Sequence, residues 1–120
     1  MKSILLLVKK GPYGTMHGLE TARFGKDLKE KAGNTVHVVA LDDGVYFYLK
    51  NQESEKIGTP PFITVMTNTD KVKIPLYALK ESLDERNISE NDFEPELTVK
   101  IISRKELSDL IREVDSVVGM

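Results

Sequence analysis

The chain has no cysteine among its 120 residues. That absence excludes disulfides, zinc–thiolate sites, iron–sulfur clusters and cysteine nucleophiles together. It does not identify a compartment, because cytosolic proteins also manage without disulfides. Long apolar runs are missing as well. Ile4 to Val8, after Met1-Lys2-Ser3, is too short for a signal peptide or a membrane span, so a cytoplasmic location is the default expectation. Charge of one sign is missing too. The net charge is -2, and small basic groups such as Lys9-Lys10 are balanced by nearby acids. Neither nucleic acid nor an anionic membrane is expected as a partner.

The common chemical signatures are also absent. No Gly-Lys-Ser/Thr phosphate loop and no G-x-G-x-x-G fingerprint occurs, so no cofactor is expected. His17 and His37 lie far apart without a carboxylate in motif spacing, and no metal site is expected of them. No Ser/His/Asp arrangement follows from spacing. Glu90, Asp92, Glu94 and Glu96 read as a solvated acidic loop and not as a paired acid/base site.

What is present is an ordinary globular composition, 40% hydrophobic and 30% charged, in a length that suits one domain over residues 1–120. Ser3 to Val8 is continuously apolar, the pattern of a strand buried on both faces of a parallel sheet. A loop with Gly11, Pro12 and Gly14 leads to a helix from about Met16 to Lys31, closed by Gly33. Thr35 to Leu41 is a second strand. Asp42-Asp43-Gly44 reads as a turn, and Val45 to Leu49 fits strand or helix by pattern alone. Asn51 to Pro61 reads as an exposed loop, and Phe62 to Met66 is again ambiguous.

Val72 to Ala78 reads as a strand despite Pro75, which removes one ladder donor. Leu79 to Arg86 is a short helix that Asn87 can end in a left-handed conformation. Leu97 to Ile102 is a strand. Ser103 and Glu106 form a capping box for a helix with Leu107, Leu110, Ile111 and Val114 on one face. Ser116-Val117-Val118 is a terminal strand. This alternation predicts a single-domain, three-layer α/β/α fold with a mostly parallel sheet. Ligands in such folds sit outside the C-terminal strand ends.

Gly11-Pro12-Tyr13-Gly14-Thr15 reads first as a plain strand-to-helix turn with Thr15 as the cap. The same residues, with His17 in the first helical turn, also fit an anion site on the helix amides. Asp43 and Gly44 fit a turn better than a cation or ribose contact. His37, between Val36 and Val38, is expected to be packed and hydrogen-bonded. Tyr46, Phe47 and Tyr48 fit core packing or a subunit interface, since no basic groove accompanies them.

Read in order, several stretches resemble the DsrE-like family (DsrE/DsrF), which includes TusD-type subunits of sulfur-relay complexes. They are the opening strand with Gly11 to Thr15, the helix with Ala22, Phe24 and Leu28, and Asp43-Gly44-Val45. Tyr77-Ala78-Leu79, Ser82-Leu83, Glu85-Arg86-Asn87-Ile88 and the final Asp115-Ser116-Val117-Val118 complete the set. In the sulfur-carrying members of that family a cysteine stands at the position of Leu79 and accepts a persulfide sulfur. Leucine has no such chemistry. The resemblance implies the fold, the strand-end pocket and a tendency to assemble as dimers, trimers or hexamers, alone or with related subunits. It also implies helices at Val45 to Asn51 and Phe62 to Asn68.

Three functions follow as expectations. The first is a non-catalytic, oligomeric subunit or scaffold, with Leu19, Tyr46, Phe47 and Tyr48 as interface candidates. The second is a small-molecule or anion binding module built from Gly11, Tyr13, Gly14, Thr15, His17, Asp43, Gly44, Tyr77 and Leu79. The third is a non-thiol enzyme using His17 and Tyr77 as acid/base groups.

Overall fold

The computed structural model describes residues 2–11, 27, 29, 33–50 and 74–119. Its centre is a sheet of β1 (Ser3–Val8), β2 (Thr35–Ala40), β3 (Leu76–Leu79), β4 (Val99–Ile102) and β5 (Ser116–Gly119), in the order β4-β3-β2-β1-β5. Every pairing among these strands is parallel. The continuous apolar run of β1 has the expected cause. Leu5 and Leu6 are both fully buried, yet they belong to different clusters, because successive side chains leave opposite faces of a strand.

On one face Ile4, Leu6, Val8, Val38 and Ala78 meet Val45, Phe47, Tyr48, Leu83 and Phe93. On the other, Leu5, Val39, Leu79 and Ile102 meet Leu107. The first face is covered by a 3₁₀ segment (Asp42–Tyr48) and α1 (Lys80–Glu85), the second by α2 (Arg104–Glu113). These are the three layers. Each fully buried aliphatic side chain contributes about 1.5–3 kcal/mol before the entropy of ordering is subtracted.

The helix ends follow local chemistry. Ser103 accepts from the Glu106 N–H at 3.2 Å, and Glu106 accepts from the Ser103 N–H at 3.1 Å, which completes the capping box. Asn87 is left-handed, with φ of 55°. Ile88 N–H donates to the Leu83 carbonyl and Asn87 N–H to that of Asp84, the two bonds of a Schellman end. Gly33, also left-handed, donates to the Lys29 carbonyl at 3.2 Å.

Four expectations change. Asp42-Asp43-Gly44 is no separate turn, because it opens the 3₁₀ segment that continues through Val45 to Tyr48. The helical reading of Val45 to Asn51 therefore holds in 3₁₀ form as far as Tyr48, while Leu49 bridges to Phe93 and Asn51 lies outside the described residues. β3 starts after Pro75 and not at Val72 (itself outside the described residues), so the missing proline donor costs the ladder nothing. The Pro75 carbonyl still accepts from Val38 N–H at 3.0 Å. The acidic loop contains a 3₁₀ turn at Glu90–Asp92, closed by a capping box between Ser89 and Asp92. Ile111 is 40% exposed, because Leu107, Leu110 and Val114 hold the sheet side of α2. The Asn51 to Pro61 and Phe62 to Asn68 readings lie outside the described residues. So does the Met16 to Lys31 helix, apart from helical Asp27 and Lys29. No helix among the described residues is long and apolar enough to cross a membrane.

Candidate functional site at the strand ends

β1, β2 and β3 run in parallel, so their C-terminal ends open on one side of the sheet. There Leu41 N–H donates to the Val8 carbonyl at 3.0 Å and draws the β2 exit against the β1 exit. Asp42 takes φ of 51°, unusual for a residue with a side chain. Its N–H donates to Ser82 Oγ at 2.8 Å, and Ser82 is buried in α1. A buried hydroxyl thus finds a partner while it ties the β2 exit to the helix after β3.

Gly44 follows, pressed against the Val8 carbonyl. An added Cβ would lie 2.7 Å from that carbonyl carbon and closer still to its oxygen. Arg86 closes the cluster. Its Nε and Nη2 donate to Asp43 Oδ1 at 3.2 and 3.0 Å, and its Nη1 donates to the Ser82 carbonyl at 3.2 Å. Gly11 arrives at the same place, its Cβ position 3.6 Å from the Asp43 carbonyl oxygen.

The sequence-derived site residues therefore separate. Gly11, Asp43 and Gly44 meet at the strand ends. Leu79 is interior, 4% exposed, and packed with Leu5, Val39, Ile102 and Leu107. Tyr77 shares that sheet face but lines a groove of about 280 Å³ with Lys100, Ile102, Glu106, Asp109, Leu110 and Glu113. None of Gly11, Asp43 or Gly44 lines it. Tyr13, Gly14, Thr15 and His17 lie outside the described residues.

The partner of Tyr77 is His37, with Nδ1 3.3 Å from the phenol oxygen and the rings 5.9 Å apart. Burial lowers the His37 pKa, Lys29 lowers it further, and Glu113 opposes both. Burial raises the Tyr77 phenol. Both effects favour the uncharged forms, so the pair is a neutral hydrogen bond that positions β2 against β3. His37 is thus packed and hydrogen-bonded, as its strand position predicts. Tyr48 is wholly buried, which raises its phenol pKa, and its OH donates to the Tyr77 carbonyl at 3.1 Å.

Two interface candidates change role. Phe47 and Tyr48 are core residues, and Tyr48 meets Phe93 edge-on at 6.0 Å. Tyr46 stays 36% exposed, and Leu19 is outside the described residues. Arg86 and Ser82 were legible only as part of the family pattern, because neither belongs to a motif whose spacing names a ligand.

A family model described as DsrE/DsrF-like matches residues 2–119. The intracellular sulfur oxidation protein DsrF of Allochromatium vinosum is 30% identical over 133 residues, covering 98% of this chain and 95% of that protein. The crystal structure of the ychN protein from E. coli superposes with a TM-score of 0.77 at 20% identity, over all of both chains. A protein of unknown function from Methanobacterium thermoautotrophicum superposes at 0.65 with 12% identity, again over all of both chains. The two structures carry the fold, and the full-length family match carries the membership. The chain belongs to the DsrE/DsrF-like family and has no cysteine with which to carry sulfur.

Proposed function

We propose that this protein is a non-catalytic, oligomeric subunit or scaffold of a sulfur-relay system, unable to hold a persulfide itself. The observation that carries the reading is the pairing of full-length family membership with a sequence that contains no thiol. Persulfide transfer needs a thiolate to attack and a sulfur to carry the load. Leu79, where sulfur-carrying relatives hold cysteine, instead fills an apolar cluster and contributes packing. The relative named for intracellular sulfur oxidation supports the pathway class. Partners under this reading are further copies of the chain or a related, cysteine-bearing subunit.

The test is sulfur loading followed by intact mass spectrometry. Incubated with a polysulfide donor under non-reducing conditions, the purified chain keeps its mass while a cysteine-bearing relative gains sulfur. A stable, stoichiometric sulfur adduct on this chain contradicts the reading.

A second reading, a small-molecule or anion binding module, is favoured by the convergence of Gly11, Asp43 and Gly44 at the strand ends. Thr15 and His17 belong to that proposal through the sequence. Titration with inorganic phosphate tests it. Alanine at Thr15 or His17 weakens binding under this reading, and unchanged affinity in both variants removes its main support.

A further inference from the structure

The two edges of the sheet differ in kind. β4 carries Lys100, a charge of the sort that discourages edge-to-edge pairing. β5 reads Ser-Val-Val-Gly, with no charge and no proline, and Val117 is 41% exposed. Among the described residues β5 has a strand neighbour on one side only, β1. Asp115 N–H donates to the Ser3 carbonyl at 2.9 Å, just before β5 begins. Ladder groups alternate in direction along a strand. The Lys2 and Val8 carbonyls accept from Thr35 and Leu41, so the even residues of β1 bond β2 and the odd ones face β5. With Leu5 opposite Val117, Ser116 and Val118 bond toward β1, whereas the N–H and C=O groups of Val117 and Gly119 point away from the sheet.

We propose that β5 pairs antiparallel with β5 of a second copy about a two-fold axis at Val117, joining the two sheets edge to edge. This deepens the oligomeric reading above and rests on it. In that register the exposed Val117 faces Val117 of the second copy, and the pair exchanges both its N–H···O bonds. Ser116 faces Val118 of the second copy in the flanking non-hydrogen-bonded pairs, where side chains approach most closely.

The charges are self-complementary in the same register. Asp115 faces Gly119 of the second copy. The Lys9 ammonium sits beside Gly119, 3.8 Å from where a Cβ would stand. Each Asp115 carboxylate is therefore brought beside Lys9 of the other copy, once at each end of the joint. A two-fold interface requires one patch to be its own complement, and this patch meets that condition in backbone, apolar contact and charge.

The absence of native cysteine makes a clean test. Val117→Cys places a single thiol on the axis, at a spacing that permits a disulfide. Mild oxidation yields covalent dimer, and the exposed helix variant Ser108→Cys yields little. Val117→Lys puts like charges on the axis and lowers the mass measured by light scattering, with the circular dichroism of the fold retained. If the wild-type chain is oligomeric but Val117→Lys leaves its mass unchanged and Val117→Cys does not crosslink, the β5 joint is wrong and the oligomeric reading stands. A wild-type chain that is monomeric throughout the micromolar range overturns both.

Discussion

Gly44→Ala is the smallest change that tests how the strand ends are built. The added methyl would stand 2.7 Å from the Val8 carbonyl carbon and closer to its oxygen. Non-bonded carbons rest at about 3.5–4.0 Å, so the 3₁₀ segment must move away from β1 by roughly 1 Å. Both sides of the clash are backbone, and neither has a rotamer to change. The Val8 carbonyl is also the acceptor for Leu41 N–H, so retreat stretches that bond. The segment that must move carries Val45, Phe47 and Tyr48 into the core. Overpacking a tight interior costs about 1–3 kcal/mol, and a backbone clash belongs at or above the top of that range. With about 5–15 kcal/mol of total stability in a typical domain, a loss near 3 kcal/mol is large.

Gly33→Ala supplies the contrast. Nothing lies within 4 Å of its Cβ position, but its φ is +69°. The cost there is conformational, about 1 kcal/mol. Urea unfolding monitored by circular dichroism measures both variants. The expected order is Gly44→Ala far below Gly33→Ala, with Gly33→Ala modestly below wild type. Equal losses, or a Gly44→Ala loss under about 1 kcal/mol, refute the close approach of the 3₁₀ segment to β1.

Three further outcomes follow. The Asp115 pKa is lowered, first by the Ser3 backbone N–H and then by the Ser3 hydroxyl. Its stabilising effect is therefore present above the ordinary aspartate pKa near 4 and lost as pH falls through the lower folded value; Asp115→Asn should flatten the acid limb of a stability–pH curve in that window. The lowered pKa of His37 acts in the same direction at higher pH. Stability should decline as pH falls below about 6.5 toward the folded pKa, and NMR titration of the imidazole should give a midpoint below 6.5; a midpoint above that value contradicts the buried, neutral pair with Tyr77. Leu79→Cys should cost about 1–3 kcal/mol and leave a thiol that reacts with Ellman's reagent at least about tenfold more slowly than Ser108→Cys, because an apolar site disfavours the thiolate; equal rates would show that position 79 is open to solvent.

The sheet was legible because its signals are local. β1 is an apolar run after Ser3 and β2 a β-branched or apolar run broken only by His37, and the Ser103–Glu106 capping box and left-handed Asn87 mark helix ends by residue type. Tyr46, Phe47 and Tyr48 were harder. Aromatic and β-branched residues suit strands, and only packing against Leu83, Ala78 and Phe93 selects the 3₁₀ form. The candidate site was partly legible. Glycine at position 44 read as part of a turn, and its close approach to the Val8 carbonyl depends on which strands are neighbours. The Tyr77–His37 bond spans 40 residues, and Asp43–Arg86 spans 43. Spacing along the chain holds no record of such pairs until the strand order is known.

The central claim is that this family member acts by assembly and not by carrying sulfur. Native mass spectrometry of the protein isolated from its own host tests it most directly. The account predicts a complex, either of several identical chains or of this chain with a cysteine-bearing relative, and no sulfur adduct on this chain. A monomer with a stoichiometric small ligand would contradict it and favour the binding-module reading.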